Sequence, residues 1–122
     1  MTKIKTSELQ GAALDWAVAE AVGHQDIRVT VDDDVMVVKQ DQKLPGLVEF
    51  DYFAPSTNWS QCGPLIESAG VLIGHYLDIG GWYADLEGAA VYRDGPTPLI
   101  AACRAIVAAK LGDEVDVPEE LV

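Results

Sequence analysis

Ser56, Thr57 and Asn58 stand together just ahead of Trp59 and Gln61, inside the run Phe53-Ala54-Pro55-Ser56-Thr57-Asn58-Trp59-Ser60-Gln61-Cys62-Gly63-Pro64-Leu65-Ile66-Glu67. Hydroxyl and amide oxygens of this kind cap helix starts. A helix start can also present its first N–H groups to an anion. Trp59 offers a ring face on which a base or nicotinamide-like ring could stack. The chain has three arginines, Arg28, Arg93 and Arg104, and a guanidinium suits two-pronged recognition of phosphate. Arg104 falls at the edge of the last helix's apolar stripe, so its stem can be buried while its head reaches a cleft. The expected ligand-binding set is therefore Ser56, Thr57, Asn58, Trp59, Gln61, Arg93 and Arg104. The plainer reading is that the loop only caps a helix and that Arg104 pairs with a neighbouring acid.

Other chemistry is harder to find. The chain has no Walker loop, no G-x-G-x-x-G, no G-x-S-x-G and no H-E-x-x-H. His24 follows a helix-ending glycine, and His75 sits in an apolar strand. With Cys62 and Cys103 equally isolated, no standard metal-ligand spacing exists. Asp32-Asp33-Asp34 lacks the alternating ligands, central Gly and distal Glu of a calcium loop, so it reads as a solvated turn. Acids are too plentiful for any pair to stand out as general acid and base. No catalytic residue, metal or cofactor is expected.

The formal net charge is −12, from 20 acidic and 8 basic residues. Such a chain repels nucleic acid and anionic lipid, which need cationic surfaces. It can still offer an acidic face to a basic partner, or hold a small anion in a local basic pocket. The N-terminus lacks the apolar core of a signal peptide, and no apolar run approaches the ~20 residues needed to span a bilayer. Cys62 and Cys103 read as a reduced pair.

These residues need a frame to position them. Ser7 and Gln10 form a capping-box pattern for a helix ending near Val22 at Gly23. Its stripe is Leu14, Ala17, Val18, Ala21 and Val22; Trp16 lies on nearly the opposite side, under another segment or facing a partner. Residues 27–31 and 35–38 read as strands, 39–46 as a loop, and 47–50 as a short strand into the polar loop. A helix is expected over 59–69, ending at Gly70. Strands are expected over 71–77, 82–86 and 89–93, the last two joined by Glu87-Gly88. Thr97 caps the last helix with Pro98 in its first turn. The apolar stripe of that helix, Leu99, Ile100, Cys103, Ile106, Val107 and Leu111, is about 140° wide, and Gly112 ends it. The acidic tail, 113–122, reads as extended. The fold class is α+β: one domain over 1–122, a mainly antiparallel sheet packed by the N-terminal and C-terminal helices.

Several ordered blocks resemble the bacteriophage NinX-like family. They are Lys5-Thr6-Ser7-Glu8-Leu9 with Ala13-Leu14-Asp15-Trp16-Ala17-Val18-Ala19, then Pro55-Ser56-Thr57-Asn58-Trp59 with Gly63-Pro64-Leu65-Ile66-Glu67. The last is Asp94-Gly95-Pro96-Thr97-Pro98-Leu99-Ile100-Ala101-Ala102 closing on Lys110-Leu111-Gly112-Asp113-Glu114-Val115. More loosely, the loop and last helix resemble small phage ABA-sandwich domains. The resemblance implies a phage-encoded accessory protein of the host bacterial cytoplasm and supplies no catalytic residues. Three functions fit. The leading one is non-enzymatic binding and sequestration of a small anionic, nucleotide-like host signal. The second is binding and inhibition of a host protein, and the third is a small nucleotide hydrolase. Trp16 off its helix's stripe and Trp82 beside two glycines point to a homodimer or higher homo-oligomer.

Overall fold

The computed structural model of the protein describes residues 1–38, 46, 48–86 and 91–122. The chain order is β1 (Thr2–Lys5), α1 (Gly11–Ala21), β2 (Arg28–Val29), β3 (Val35–Val38), β4 (Phe50–Tyr52) and α2 (Trp59–Ala69). It continues through β5 (Leu72–His75), β6 (Trp82–Leu86), β7 (Val91–Gly95), α3 (Pro98–Leu111) and β8 (Glu114–Val117). The fold is α+β, with the helices packed against antiparallel strands. The strands do not form the one sheet expected. They divide into β1–β8, β2–β3–β4 and β5–β6–β7.

Alanine governs how the helices pack. α3 buries Leu99 and every residue from Ala101 to Ala108. It touches β5, β6 and β7 as well as α1 and α2, so it is the central element rather than a helix with one wet face. Ala101, Ala102, Ala105 and Ala108 leave no long side chain to hold neighbours away. α1 likewise buries every residue from Ala13 to Ala19. Trp16 is therefore covered within its own chain and no longer argues for self-association. Arg104 is carried inside with the rest of α3, where its Nε donates to the Leu9 carbonyl at 2.8 Å and its Nη1 to the Asp94 carbonyl at 3.0 Å.

The ends depart furthest from expectation. Thr6 donates through its hydroxyl to the Gly112 carbonyl at 2.7 Å and through its N–H to the Asp113 carbonyl at 2.7 Å. These bonds hold Thr6–Glu8 in a 3-10 turn and delay α1 to Gly11, so Ser7 does not cap it. The acidic tail is a strand: Ile4 pairs with Val115 and Thr2 with Val117, and both valines are buried. The expected caps Asn58 and Thr97 are in place, with the stop glycines Gly70 and Gly112. Residues 39–45 of the expected loop, Leu47 of the expected strand after it, the expected connection Glu87-Gly88, and Ala89 and Ala90 of the expected strand 89–93 lie outside the described residues. Among the described residues, no helix is long and apolar enough to cross a membrane.

Candidate functional site

The polar loop ahead of α2 is seated on α1. Asp15, one turn into that helix, accepts the Ser56 N–H on its Oδ1 at 2.8 Å. Inside the loop, Gln61 accepts the Ala54 N–H on Oε1 at 2.6 Å and donates from Nε2 to the Tyr52 carbonyl at 2.7 Å. The N–H groups of Thr57 and Asn58 both meet the Ala54 carbonyl. Asn58 Oδ1 takes the Ser60 N–H at 2.9 Å and starts α2. Phe53 ties the segment to β3 through its N–H on the Val35 carbonyl at 2.8 Å.

Between this loop and the start of α1 lies an open cleft of about 510 Å³, lined by Gly11, Ala12, Asp15, Asp34, Val35, Tyr52, Phe53, Ala54, Ser56 and Thr57. Three features give it polarity. Asp15 is buried, and burial pushes its carboxyl up to about 6 from an ordinary 3.8, against the opposing pull of the Ser56 N–H and side chain. The Ser56 hydroxyl is near enough to oppose that rise, yet Ser56 is only 3% exposed and its Oγ meets no partner in hydrogen-bonding geometry. The first turn of α1 has no side-chain cap. Its first intrahelical bond runs from the Leu14 N–H to the Gln10 carbonyl, so helix geometry leaves the N–H groups of Gly11, Ala12 and Ala13 without intrahelical acceptors. Gly11 holds φ +57 with nothing within 4 Å of where a Cβ would stand. It admits the chain to α1 in a left-handed conformation that a side chain would strain.

The expected site residues separate into three groups. Ser56 and Thr57 line the cleft. Gln61 and Asn58 stand behind it and shape the loop and α2, while Trp59, 58% exposed, begins α2 outside the lining. The arginines are elsewhere. Arg93 on β7 donates to the Tyr92 carbonyl and pairs with Asp113, and Arg104 is the buried tie already described. No arginine lines the cleft, whose charged members are Asp15 and Asp34. Sequence reasoning missed Asp15 and Gly11. The signal for Asp15 was there: it is the one charged residue in the apolar run from Ala12 to Ala19.

The remaining candidates are structural. Cys62 and Cys103 are free and buried between α2 and α3, their Sγ atoms 3.8 Å apart. Hydrogen bonding with Cys62, burial and the nearby Asp15 charge push the Cys103 thiol up. His75 packs its ring on Trp82 across β5 and β6, centroids 4.5 Å apart. Among the described residues, no three His, Cys, Asp or Glu side chains gather as a metal site would need.

The comparison with protein families identifies what carries this cleft. Residues 5–110 match the family model described as Bacteriophage P22, NinX. The chain belongs to the bacteriophage P22 NinX family. The match takes in the cleft and both helices that build the core, stops within the last turn of α3 and leaves β8 outside. Membership makes this NinX-family chain a phage accessory protein. No curated protein matches it.

Proposed function

We propose that the cleft at the start of α1 binds a small nucleotide-like ligand, and that this phage protein acts by holding the ligand rather than converting it. One observation carries the reading: a buried Ser56 hydroxyl without a partner, beside a buried carboxyl, at the floor of an open cleft. Leaving such a hydroxyl unpaired costs about 1–3 kcal/mol, and an occupant that bonds to it recovers part of that. The cleft specifies the occupant's polarity. Its acceptors would face the Ser56 hydroxyl and the first N–H groups of α1, and a donor would face Asp15. The lactam edge of a nucleobase, with carbonyl and N–H side by side, has that alternation. The exposed Tyr52 ring at the rim offers a stacking face of the kind that contributes ~1–3 kcal/mol per base. Asp15 and Asp34 disfavour phosphate inside, so the anionic end of the ligand would lie toward solvent.

Binding without turnover is the better reading because Ser56 meets Asp15 through its main-chain N–H, and no histidine lines the cleft to take a proton from Oγ. A phage protein of this kind would sequester a nucleotide-like host signal. The test is thermal unfolding with a panel of lactam-bearing and amino-bearing nucleosides and nucleotides. A ligand at 100 times its Kd adds about 2.7 kcal/mol to the native state, and the lactam members should give the larger shifts. A panel without a single shift overturns the reading, and product formation would replace holding with turnover.

A further inference from the structure

Away from the cleft, the β5–β6–β7 sheet turns one face from α3. Residues alternate across a strand, so Leu72, Gly74, Tyr83, Asp85, Tyr92 and Asp94 share that face, in the cross-strand pairs Leu72–Asp85, Gly74–Tyr83, Tyr83–Asp94 and Asp85–Tyr92. Tyr76, just past β5, joins them. Its ring centroid lies 5.2 Å from that of Tyr83, which in turn stacks on Tyr92 at 5.5 Å and 22°. The Tyr76 and Tyr92 hydroxyls are in contact. Gly74 makes the platform feasible, because any Cβ there would overlap the Tyr83 ring. Beside this platform Leu77 is 92% and Ile79 80% exposed, with Leu72 and Tyr92 also exposed.

We infer that this face docks a basic, Arg- and Lys-bearing segment of a partner protein. Grouped aromatic and aliphatic side chains in solvent mark interaction surfaces, and the charges around them decide the partner. Asp85 and Asp94 stand within the platform and Asp78 follows Tyr76. Arg93, the described base next in sequence to the platform, points to the opposite side of β7 and pairs with Asp113. Tyrosine faces attract guanidinium and ammonium groups, and the carboxylates supply the opposite charge. A second copy of the chain would bring these aspartates against their own images on a protein of net charge −12, which opposes a symmetric dimer through this face. Nucleic acid meets the same repulsion.

The experiment titrates the full-length protein with short Arg- and Lys-rich peptides and follows backbone amide NMR signals and affinity. Signals of Leu72, Tyr76, Tyr83 and Tyr92 should move, and affinity should fall with salt. The paired substitutions Asp85→Asn and Asp94→Asn should weaken binding about tenfold. Glu119→Gln with Glu120→Gln removes the same charge elsewhere and should leave affinity nearly unchanged. Tyr92→Ala tests the aromatic part at an exposed position, and near-native circular dichroism is the check that it stays folded. Equal losses from both acid pairs would reduce the effect to general acidity and overturn the proposal. Unmoved sheet signals would do so as well, and so would a dimer in sedimentation that Tyr92→Ala abolishes.

Discussion

α1 has a cavity at each end, nearly equal in volume and different in how their polar groups are held. The cleft at its N-terminal end holds about 510 Å³; the cavity at its C-terminal end holds about 520 Å³. The second is walled by Val22, Leu65, Ala69 and Ile106, with His24, Ser68 and Lys110 also in its lining. Burial lowers the His24 pKa, which keeps the imidazole neutral, and its ring packs edge-on against Phe53, centroids 5.2 Å apart. Lys110 lies in the last turn of α3, where a cation suits the helix dipole. His24 and Lys110 each have a structural account at this end. At the other end, the buried Ser56 hydroxyl meets no partner in hydrogen-bonding geometry and the first turn of α1 has no side-chain cap. Volume does not separate the two cavities; unsatisfied buried polarity does.

The largest expected effect tests the C-terminal end. Ile106 is buried on α3 and forms one wall of the C-terminal cavity. Ile106→Asp puts a charge there, at a cost of several kcal/mol, and should leave little folded protein by circular dichroism. A variant that folds with a near-native melting temperature would show that the wall yields and that this cavity is usable space.

The next effect belongs to Asp15. Its folded-state pKa of about 6 stands above the ordinary 3.8. The stability that a neutral Asp15 provides is therefore complete below the unfolded value and is lost as pH rises through the folded one. Asp15→Asn keeps an oxygen for the Ser56 N–H and stays uncharged. At pH 7 it should be more stable than the parent by ~1–3 kcal/mol, since one pKa unit corresponds to about 1.4 kcal/mol. The gap should close toward pH 4 in urea titrations. A gap that does not change with pH would mean that burial does not strain this carboxyl, and the contrast between the two cavities would lose one of its two groups.

How much of this was legible follows the distance over which each feature is decided. Thr97, Pro98 and Gly112 specify α3 within a few residues of its ends, and Asn58 with Gly70 does the same for α2, so both helices could be placed from local chemistry. Glu114-Val115-Asp116-Val117 alternates as a strand does, but its partner is at the other end of the chain, and without β1 it reads as a charged tail. Ser7 and Gln10 form a sound capping pattern that Thr6 overrides by bonding to Gly112 and Asp113. Trp16 and Arg104 looked peripheral because each helix was judged by its own stripe, whereas α3 is enclosed by sheet and helices together. The site divides in the same way. Ser56 and Thr57 announced themselves as a polar loop, but Asp15 is 41 residues from Ser56, and only tertiary packing brings the two together.

The smallest change is the most discriminating. Ser56→Ala removes one oxygen and leaves the main-chain N–H on Asp15 in place. A hydroxyl with a buried partner would lose ~0.5–1.5 kcal/mol of stability on such a change. The Ser56 hydroxyl meets no partner in hydrogen-bonding geometry, although it lies near enough to Asp15 to favour its carboxylate. At about pH 4, where Asp15 is neutral, stability should therefore hold or rise by up to ~1 kcal/mol, because an unmatched polar atom leaves the interior. Ligand affinity should move the other way, falling by ~0.5–1.5 kcal/mol for the lost hydrogen bond. Urea midpoints read the first quantity, and ligand-induced thermal shift on the same variant reads the second. Opposite signs are the signature of a residue kept for binding at a cost to stability. If Ser56→Ala loses stability while affinity is untouched, the hydroxyl has a structural partner, and the N-terminal cleft is the same kind of space as the cavity at the other end of the helix.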